Sequence, residues 1–398
     1  MASDVASTHV LIVGASTRAA AESAARAGFR VTSIDGFADL DQHPSVRALS
    51  MSRDFGGRFT AAAVARAARG VDADAVVYLS PFENHPAAVG RLARGRALWG
   101  NPPETLRRVR DPLVLMEILR RRNFVVPATF RSLNDPNDPN DPNDREYLVK
   151  PLASGGGQRI RPWRPGLSVP RGSFVQRRVR GTPGSVVFVA ARGRAVPLGV
   201  SRQLVGDPAF GASAYRYCGS ILAPHGESLQ GSPALMSKAV ALADAVAEEF
   251  ALVGVNGVDF VVGDGEPVAV EVNPRWSASI ELAERAQAIP LFAAHAEACA
   301  SGSLPAISPA SPSARALGKA VVFAKSDSVV GDTREWLDDP DVRDVPRRGD
   351  HIAAGQPVCT VLAAAATTAE CHAALVARAA DVYAALIPDA VSTLSTSK

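Results

Sequence analysis

The sequence predicts a multi-domain protein of mixed α/β and α+β class, and three observations carry that prediction. The chain has 398 residues, enough for two to three domains with large cores. It opens with a strand, an alanine-rich helix and a second strand, a βαβ unit. Further on, two apolar runs, Gly257-Val258-Asp259-Phe260-Val261-Val262 and Val268-Ala269-Val270-Glu271-Val272-Asn273-Pro274-Arg275, flank Gly263-Asp264-Gly265, the pattern of an antiparallel hairpin.

Composition narrows the function classes. Hydrophobic content of 47% with 21% charged residues fits a soluble globular chain, and a net charge of +3 gives no reason to expect nucleic acid as a partner. Cys218, Cys299, Cys359 and Cys371 are scattered without metal-ligand spacing, which points to free thiols in a reducing compartment. No apolar run reaches transmembrane length, and Met1-Ala2-Ser3-Asp4 has no basic region ahead of an apolar stretch. A cytoplasmic location without membrane contact is expected.

In chain order, His9-Val10-Leu11-Ile12-Val13-Gly14 is a short buried strand, the helix runs to Ala27-Gly28, and the second strand ends at Asp35. The loop between strand and helix, Gly14-Ala15-Ser16-Thr17-Arg18, lacks the G-x-G-x-x-G dinucleotide fingerprint. A strand over 75–79 carries Ser80-Pro81-Phe82-Glu83-Asn84-His85-Pro86 at its carboxyl end, where open α/β sheets bind ligands. Ser16, Arg18, Glu83, Asn84 and His85 are therefore candidate substrate residues, against the plainer reading of solvated loops.

A connecting helix is expected over 112–122. The Asn-Asp-Pro repeat at 134–144 cannot bury anything, so it reads as a flexible excursion between strands at 129–132 and 147–150. Tyr147-Leu148-Val149-Lys150-Pro151 is a strand with a terminal lysine, followed by Ala153-Ser154-Gly155-Gly156-Gly157-Gln158. Lysine beside a triple-glycine loop places an ammonium and backbone N–H groups for phosphate oxygens, although such turns also occur without a ligand. Phe174-Val175-Gln176-Arg177-Arg178-Val179 then enters a hinge, Arg180-Gly181-Thr182-Pro183-Gly184, whose backbone can face an adenine edge. An amphipathic helix over 237–250 precedes the hairpin.

In the hairpin, period-2 alternation puts Glu271, Asn273 and Arg275 on one face and valines on the other. Asp259 joins that face if the turn has an odd residue count or the hairpin contains a bulge. Two carboxylates, an amide oxygen and a guanidinium on one face suit Mg²⁺ shared with nucleotide phosphates. The plain alternative is a solvated polar face.

In this order the pieces resemble the ATP-grasp superfamily, over roughly residues 8–300. The resemblance implies an ATP-grasp fold: an N-terminal open α/β domain at 1–110, an ATP-grasp domain at 111–302, and at 303–398 a linker and small β-rich subdomain. It implies ATP contacts from Lys150, Ser154, Gly155, Gly156, Gly157, Gln176 and Val179. Asp259, Glu271 and Asn273 would hold Mg²⁺ (or Mn²⁺), and Arg275 with Lys150 would act on the transferring phosphoryl group. The glycine flap would close over the site, with the 206–219 loop closing from the other side. Two departures stand out: Gln176-Arg177-Arg178 occupies the place of an acid that reads the adenine amine in many relatives, and Asp111-Pro112 the place of Asp-Lys.

Within the superfamily, the chain is similar to a carboligase-like group associated with tetrahydromethanopterin and methanofuran gene clusters. The residues behind this are Gly14-Ala15-Ser16-Thr17-Arg18, Val109-Arg110-Asp111-Pro112, Tyr215-Arg216-Tyr217-Cys218-Gly219 and Asp344-Val345-Pro346. Tyr217 joins the substrate candidates on that likeness. The implied activity is ADP-forming carboxylate–amine ligation through an acyl phosphate, with small-molecule acid and amine partners and a homodimer as an open option. A carboxylase-like enzyme and a nucleotide-binding protein without turnover are the alternatives. Past a linker at 304–313, strands at 319–325 and 357–362 surround Gly349-Asp350 and Gly355-Gln356, and a helix over 368–386 closes the chain. That spacing is similar to biotinyl and lipoyl carrier turns, but no lysine stands between them, so no carried cofactor is expected.

Overall fold

The computed structural model describes residues 8–131, 146–164, 166–224, 227, 233–306 and 314–388. The first elements are β1 (His9–Val13), α1 (Arg18–Arg26), β2 (Arg30–Asp35), β3 (Val46–Ser50), α2 (Ala61–Ala67), β4 (Ala75–Tyr78), α3 (Pro86–Leu92) and β5 (Ala97–Leu98). Their strands form a parallel sheet in the order β3-β2-β1-β4-β5. Val10 and Ile12 of β1 pack with Ala20, Ala21 and Ala24 of α1, while Leu11 and Val13 pack toward Val64 and Val89. Covering on both faces is why β1 and β4 read as unbroken apolar runs.

Two helices follow, α4 (Pro103–Val109) and α5 (Pro112–Arg121). Asp111 caps α5 by accepting from Leu113 N at 2.9 Å, and Pro112 takes the first helical position, where its missing N–H costs nothing. Only Arg110-Asp111 therefore separates α4 from α5. Next come β6 (Thr129–Phe130), β7 (Tyr147–Pro151), β8 (Arg161–Pro162) and β9 (Ser173–Arg177), an antiparallel sheet in the order β6-β9-β7-β8. The Asn-Asp-Pro repeat at 134–144 lies outside the described residues.

The remaining elements are β10 (Thr182–Ala191), β11 (Arg194–Val205), β12 (Tyr217–Leu222), α6 (Pro233–Phe250), β13 (Gly254–Gly263), β14 (Glu266–Asn273), α7 (Ile280–Gln287), α8 (Phe292–Ala300), β15 (Ala316–Phe323), β16 (Ser328–Val329), α9 (Arg334–Asp338), β17 (Val342–Arg343), β18 (His351–Ile352), β19 (Pro357–Ala365), α10 (Thr368–Ala385) and β20 (Ile387–Pro388). Eight of these strands make one antiparallel sheet, β14-β13-β10-β11-β12-β15-β19-β17. In the C-terminal region β15, β19 and β17 continue the central sheet. Glycine makes the seam: a Cβ on Gly219 would lie 2.2 Å from the Lys319 carbonyl oxygen across the β12–β15 pairing. α10 opens on a capping box between Thr367 and Glu370 and lays Leu375, Ala379 and Val382 on that part of the sheet. No helix among the described residues is long and apolar enough to cross a membrane.

Candidate functional site

The β13–β14 hairpin turns through Asp264 (φ +52°) and Gly265 (φ +77°), two left-handed residues of the kind a tight hairpin requires. Register places Gly257 opposite Asn273 and Asp259 opposite Glu271, then shifts so that Phe260 faces Ala269. This bulge brings Asp259 onto the face that alternation assigns to Glu271, Asn273 and Arg275. Asp259 Oδ2 accepts from Asn273 Nδ2 at 2.8 Å, and Oδ1 accepts from Gln203 Nε2 of β11 at 2.9 Å. Asn273 Oδ1 in turn accepts from Arg275 Nη2 at 3.1 Å.

Glu271 ion-pairs with Arg110, which also donates to the Val272 carbonyl at 3.0 Å. Burial, and then the neighbouring Glu271 carboxylate, push the Asp259 carboxyl up to about 6. Burial acts on Glu271 in the same direction, but Arg110 and Lys150 outweigh it and hold that carboxyl below its usual range. No group of three or more His, Cys, Asp or Glu converges as a metal site among the described residues. The donors here are instead two carboxylates and the Asn273 amide, all oxygen, which suits a divalent hard cation that completes its shell with phosphate and water. The repulsion that raises Asp259 is what such a cation would relieve.

If Asp259 holds a metal, binding would be pH-dependent, since the ligand must be ionised. Mn²⁺ affinity, read by electron paramagnetic resonance, is expected to fall about tenfold from pH 7 to pH 5, as a group titrating near 6 requires. A flat profile would show that Asp259 does not bind the metal. Without metal the sign is opposite for stability: the raised carboxyl favours the folded form at low pH, and this is lost as pH rises through about 6.

Lys150, next to the last residue of β7, donates from Nζ to Gln176 Oε1 at 3.0 Å, with Nζ 5.7 Å from the Phe174 ring centroid. Burial lowers its pKa, opposed by Glu271 and Asp259. Gln176, expected against adenine, is buried and uses its amide to hold Lys150 and, at 3.2 Å, Thr129 Oγ1. Val179 lies in the hinge, where Gly181 (φ +141°) passes so near β13 that a Cβ would sit 1.8 Å from the Val262 carbonyl oxygen. Arg178 and Arg180 both pair with Glu146, at 2.7 and 3.2 Å.

The glycine flap is docked. Gly156 O accepts from Tyr217 N at 3.0 Å, and a Cβ on Gly157 (φ +71°) would lie 1.7 Å from the Tyr215 carbonyl oxygen. The flap and the 206–216 segment therefore meet, as the two sides of a closure would. Tyr217 lies where Asp259 and Arg275 act electrostatically on its hydroxyl, which burial pushes up and which shares a 3.0 Å hydrogen bond with Ser220 Oγ. At the flap root, Ser154 O accepts from Asn84 Nδ2 and from Arg110 Nη2, both at 3.1 Å.

Of the N-terminal candidates, Glu83 and Asn84 reach this assembly. Glu83 is buried, with Oε1 2.9 Å from Arg275 Nε and Oε2 lacking a hydrogen-bond partner. Ser16 and His85 are exposed at neighbouring strand ends. Arg18 departs from its expected substrate role, being fully buried and committed to carboxylates. It lies 2.8 Å from Asp344 and from Glu281, 3.1 Å from Glu22 and 3.4 Å from Asp41, binding α1 to α7 and to the turn after β17. Arg18→Met is expected to cost about 3–5 kcal/mol in urea unfolding, because it leaves buried carboxylates uncompensated; an unchanged midpoint would contradict that.

Sequence reasoning gave no site role to Arg110, Gln203, Asn101 or Tyr78. Arg110 meets the hairpin, the flap root and the Asn84 loop together. Gln203 holds Asp259. Asn101 is fully buried and donates to the Pro274 carbonyl at 3.1 Å and to Asn256 at 2.7 Å, while Tyr78 Oη donates to the same carbonyl at 3.2 Å. The N-terminal domain thereby fixes the backbone just before Arg275. The signals for Arg110 were its place in Val109-Arg110-Asp111-Pro112, one of the stretches behind the subfamily likeness, and its position directly ahead of a helix-starting Asp-Pro.

Residues 109–279 match the family model of the ATP-grasp domain. No curated protein matches the sequence. Among solved structures the chain is similar to an L-amino acid ligase from Bacillus licheniformis, at 15% identity and TM-score 0.68, covering 96% of this chain and 99% of that one. N5-carboxyaminoimidazole ribonucleotide synthetase from Thermotoga maritima gives 14% identity and TM-score 0.65 over 96% of this chain and 100% of that one. The biotin carboxylase domain dimer of Hydrogenobacter thermophilus 2-oxoglutarate carboxylase, in complex with MgADP, ADP and bicarbonate, gives 13% identity and TM-score 0.67 over 88% and 85%. The fold is that of the ATP-grasp proteins.

Proposed function

We propose that this ATP-grasp chain is an ATP-dependent carboxylate–amine ligase that forms an amide through an acyl phosphate. The observation that carries the reading is the single assembly in which Asp259, Glu271 and Asn273 face Lys150, Arg275 and the docked glycine flap. A carboxylate is a poor electrophile; phosphorylation by ATP gives it a leaving group that an amine displaces, releasing phosphate. Lys150 would bind the nucleotide's phosphates, and Arg275 would meet charge that develops as the phosphoryl group moves. Mg²⁺ or Mn²⁺ on Asp259, Glu271 and Asn273 would supply Lewis-acid neutralisation of the phosphates. The flap, closed on Tyr215 and Tyr217, would keep water from the acyl phosphate. Glu83, whose Oε2 lacks a hydrogen-bond partner beside Arg275, would orient the incoming amine.

The L-amino acid ligase likeness over nearly the whole of both chains supports ligation, and the carboxylase neighbours keep bicarbonate as the rival acid. A role in one-carbon cofactor biosynthesis rests on the four sequence stretches named for it. The test is an ADP-release screen of purified protein with Mg-ATP across pairs of carboxylic acids and amines, bicarbonate included. Release that requires both an acid and an amine is expected. Release with bicarbonate alone would favour the carboxylase, and no release with bound Mg-ATP the non-catalytic binder.

A further inference from the structure

Six charged side chains form the centre of the site: the carboxylates of Glu83, Asp259 and Glu271, and the cations Lys150, Arg110 and Arg275. With no metal the set is balanced, and Arg110 is the group in contact with Glu271. A divalent cation drawn to Glu271 removes that counter-charge. A guanidinium cannot shed its proton to adapt, and a buried charge without a partner is costly. The Arg110 side chain is only 11% exposed, and its Nε already lacks a hydrogen-bond partner. Its Nη2 is meanwhile tied to Ser154 O at 3.1 Å and to Asn84 Oδ1 at 3.0 Å, so losing Glu271 would leave it beside the flap root. At the joint between α4 and α5, Asp111 caps α5, Pro112 starts it, and Arg108 lies over the Phe250 ring.

We propose that Arg110 is an exchange cation: it holds Glu271 in the metal-free protein and turns to a phosphate oxygen of the nucleotide when metal takes Glu271. The proposal rests on the ATP-dependent reading above. Its consequence is a split. Metal alone must compete with Arg110 for Glu271 and binds weakly, whereas metal with triphosphate gives both the carboxylate and the guanidinium a partner. Arginine suits the second post because its planar donors match phosphate oxygens.

The test uses the full chain as wild type, Arg110→Gln and Arg110→Lys, with thermal unfolding as the check on folding. Mn²⁺ alone is titrated by electron paramagnetic resonance, and Mg-ATP by calorimetry. The glutamine variant is expected to bind Mn²⁺ at least as tightly as wild type and Mg-ATP about tenfold to a hundredfold more weakly, the range for a lost charge-assisted hydrogen bond. The lysine variant should recover part of the Mg-ATP affinity. Wild-type Mg-ATP affinity in Arg110→Gln would overturn the proposal. So would equal losses for Mn²⁺ and Mg-ATP with a lower melting temperature, which describe a merely structural residue. Wild-type protein that binds Mn²⁺ but no Mg-ATP would remove the ligase reading and this proposal together, an outcome distinct from failure at Arg110 alone.

Discussion

Glu271→Gln is expected to lower turnover by at least about a hundredfold while leaving the fold intact. Glutamine keeps the side chain's length and can still accept from Arg110, whose bonds to Val272 O and Ser154 O do not involve the carboxylate. What is lost is the negative charge opposite Asp259, which on the proposed reading would be one of two anionic oxygen donors for a hard cation. Loss of one such group at the point of charge transfer costs roughly two to three orders of magnitude in rate. The measurement is substrate-dependent ADP release beside the melting temperature. Full activity with an unchanged melting temperature would remove Glu271 from the site.

Arg275→Ala is expected to cost about two orders of magnitude in rate with little loss of ATP affinity. Its Nε faces Glu83 and its Nη2 faces Asn273, so it stands between the N-terminal loop and the metal strand. On the proposed reading it would meet the carboxylate as phosphoryl arrives and make its strongest contact in the transition state. Lys150→Ala is expected to differ, weakening ATP binding and turnover together, because a phosphate-holding ammonium acts in both states. Calorimetric ATP affinities and ADP-release rates for the two variants decide the matter; the same pattern in both would contradict separate roles.

The hairpin face was legible because side chains on a strand alternate, so Glu271, Asn273 and Arg275 could be grouped by spacing alone. The bulge that adds Asp259 was only conditional in the sequence, since local backbone geometry fixes where the register shifts. Lys150 and the glycines were legible as strand end and flap; that Gln176 would be spent on Lys150 was not, because the contact crosses from β7 to β9. Arg18 shows the limit most plainly. It opens α1 directly after a ligand-binding type of loop, yet its partners Glu281 and Asp344 are 263 and 326 residues away in sequence. Nothing local marks such a pairing. The same holds for the strands after residue 303, whose joining to β12 depends on a close approach at Gly219.

The central claim is that a carboxylate is phosphorylated before the amine attacks, and oxygen transfer reports this directly. With an acid and amine pair that supports ADP release, the acid is supplied with ¹⁸O in its carboxylate and the released inorganic phosphate is analysed by mass spectrometry. Reaction through an acyl phosphate places one ¹⁸O in each phosphate formed, because the carboxylate oxygen that attacks phosphorus leaves with it. Inorganic phosphate free of ¹⁸O, formed in step with amide, would contradict the account.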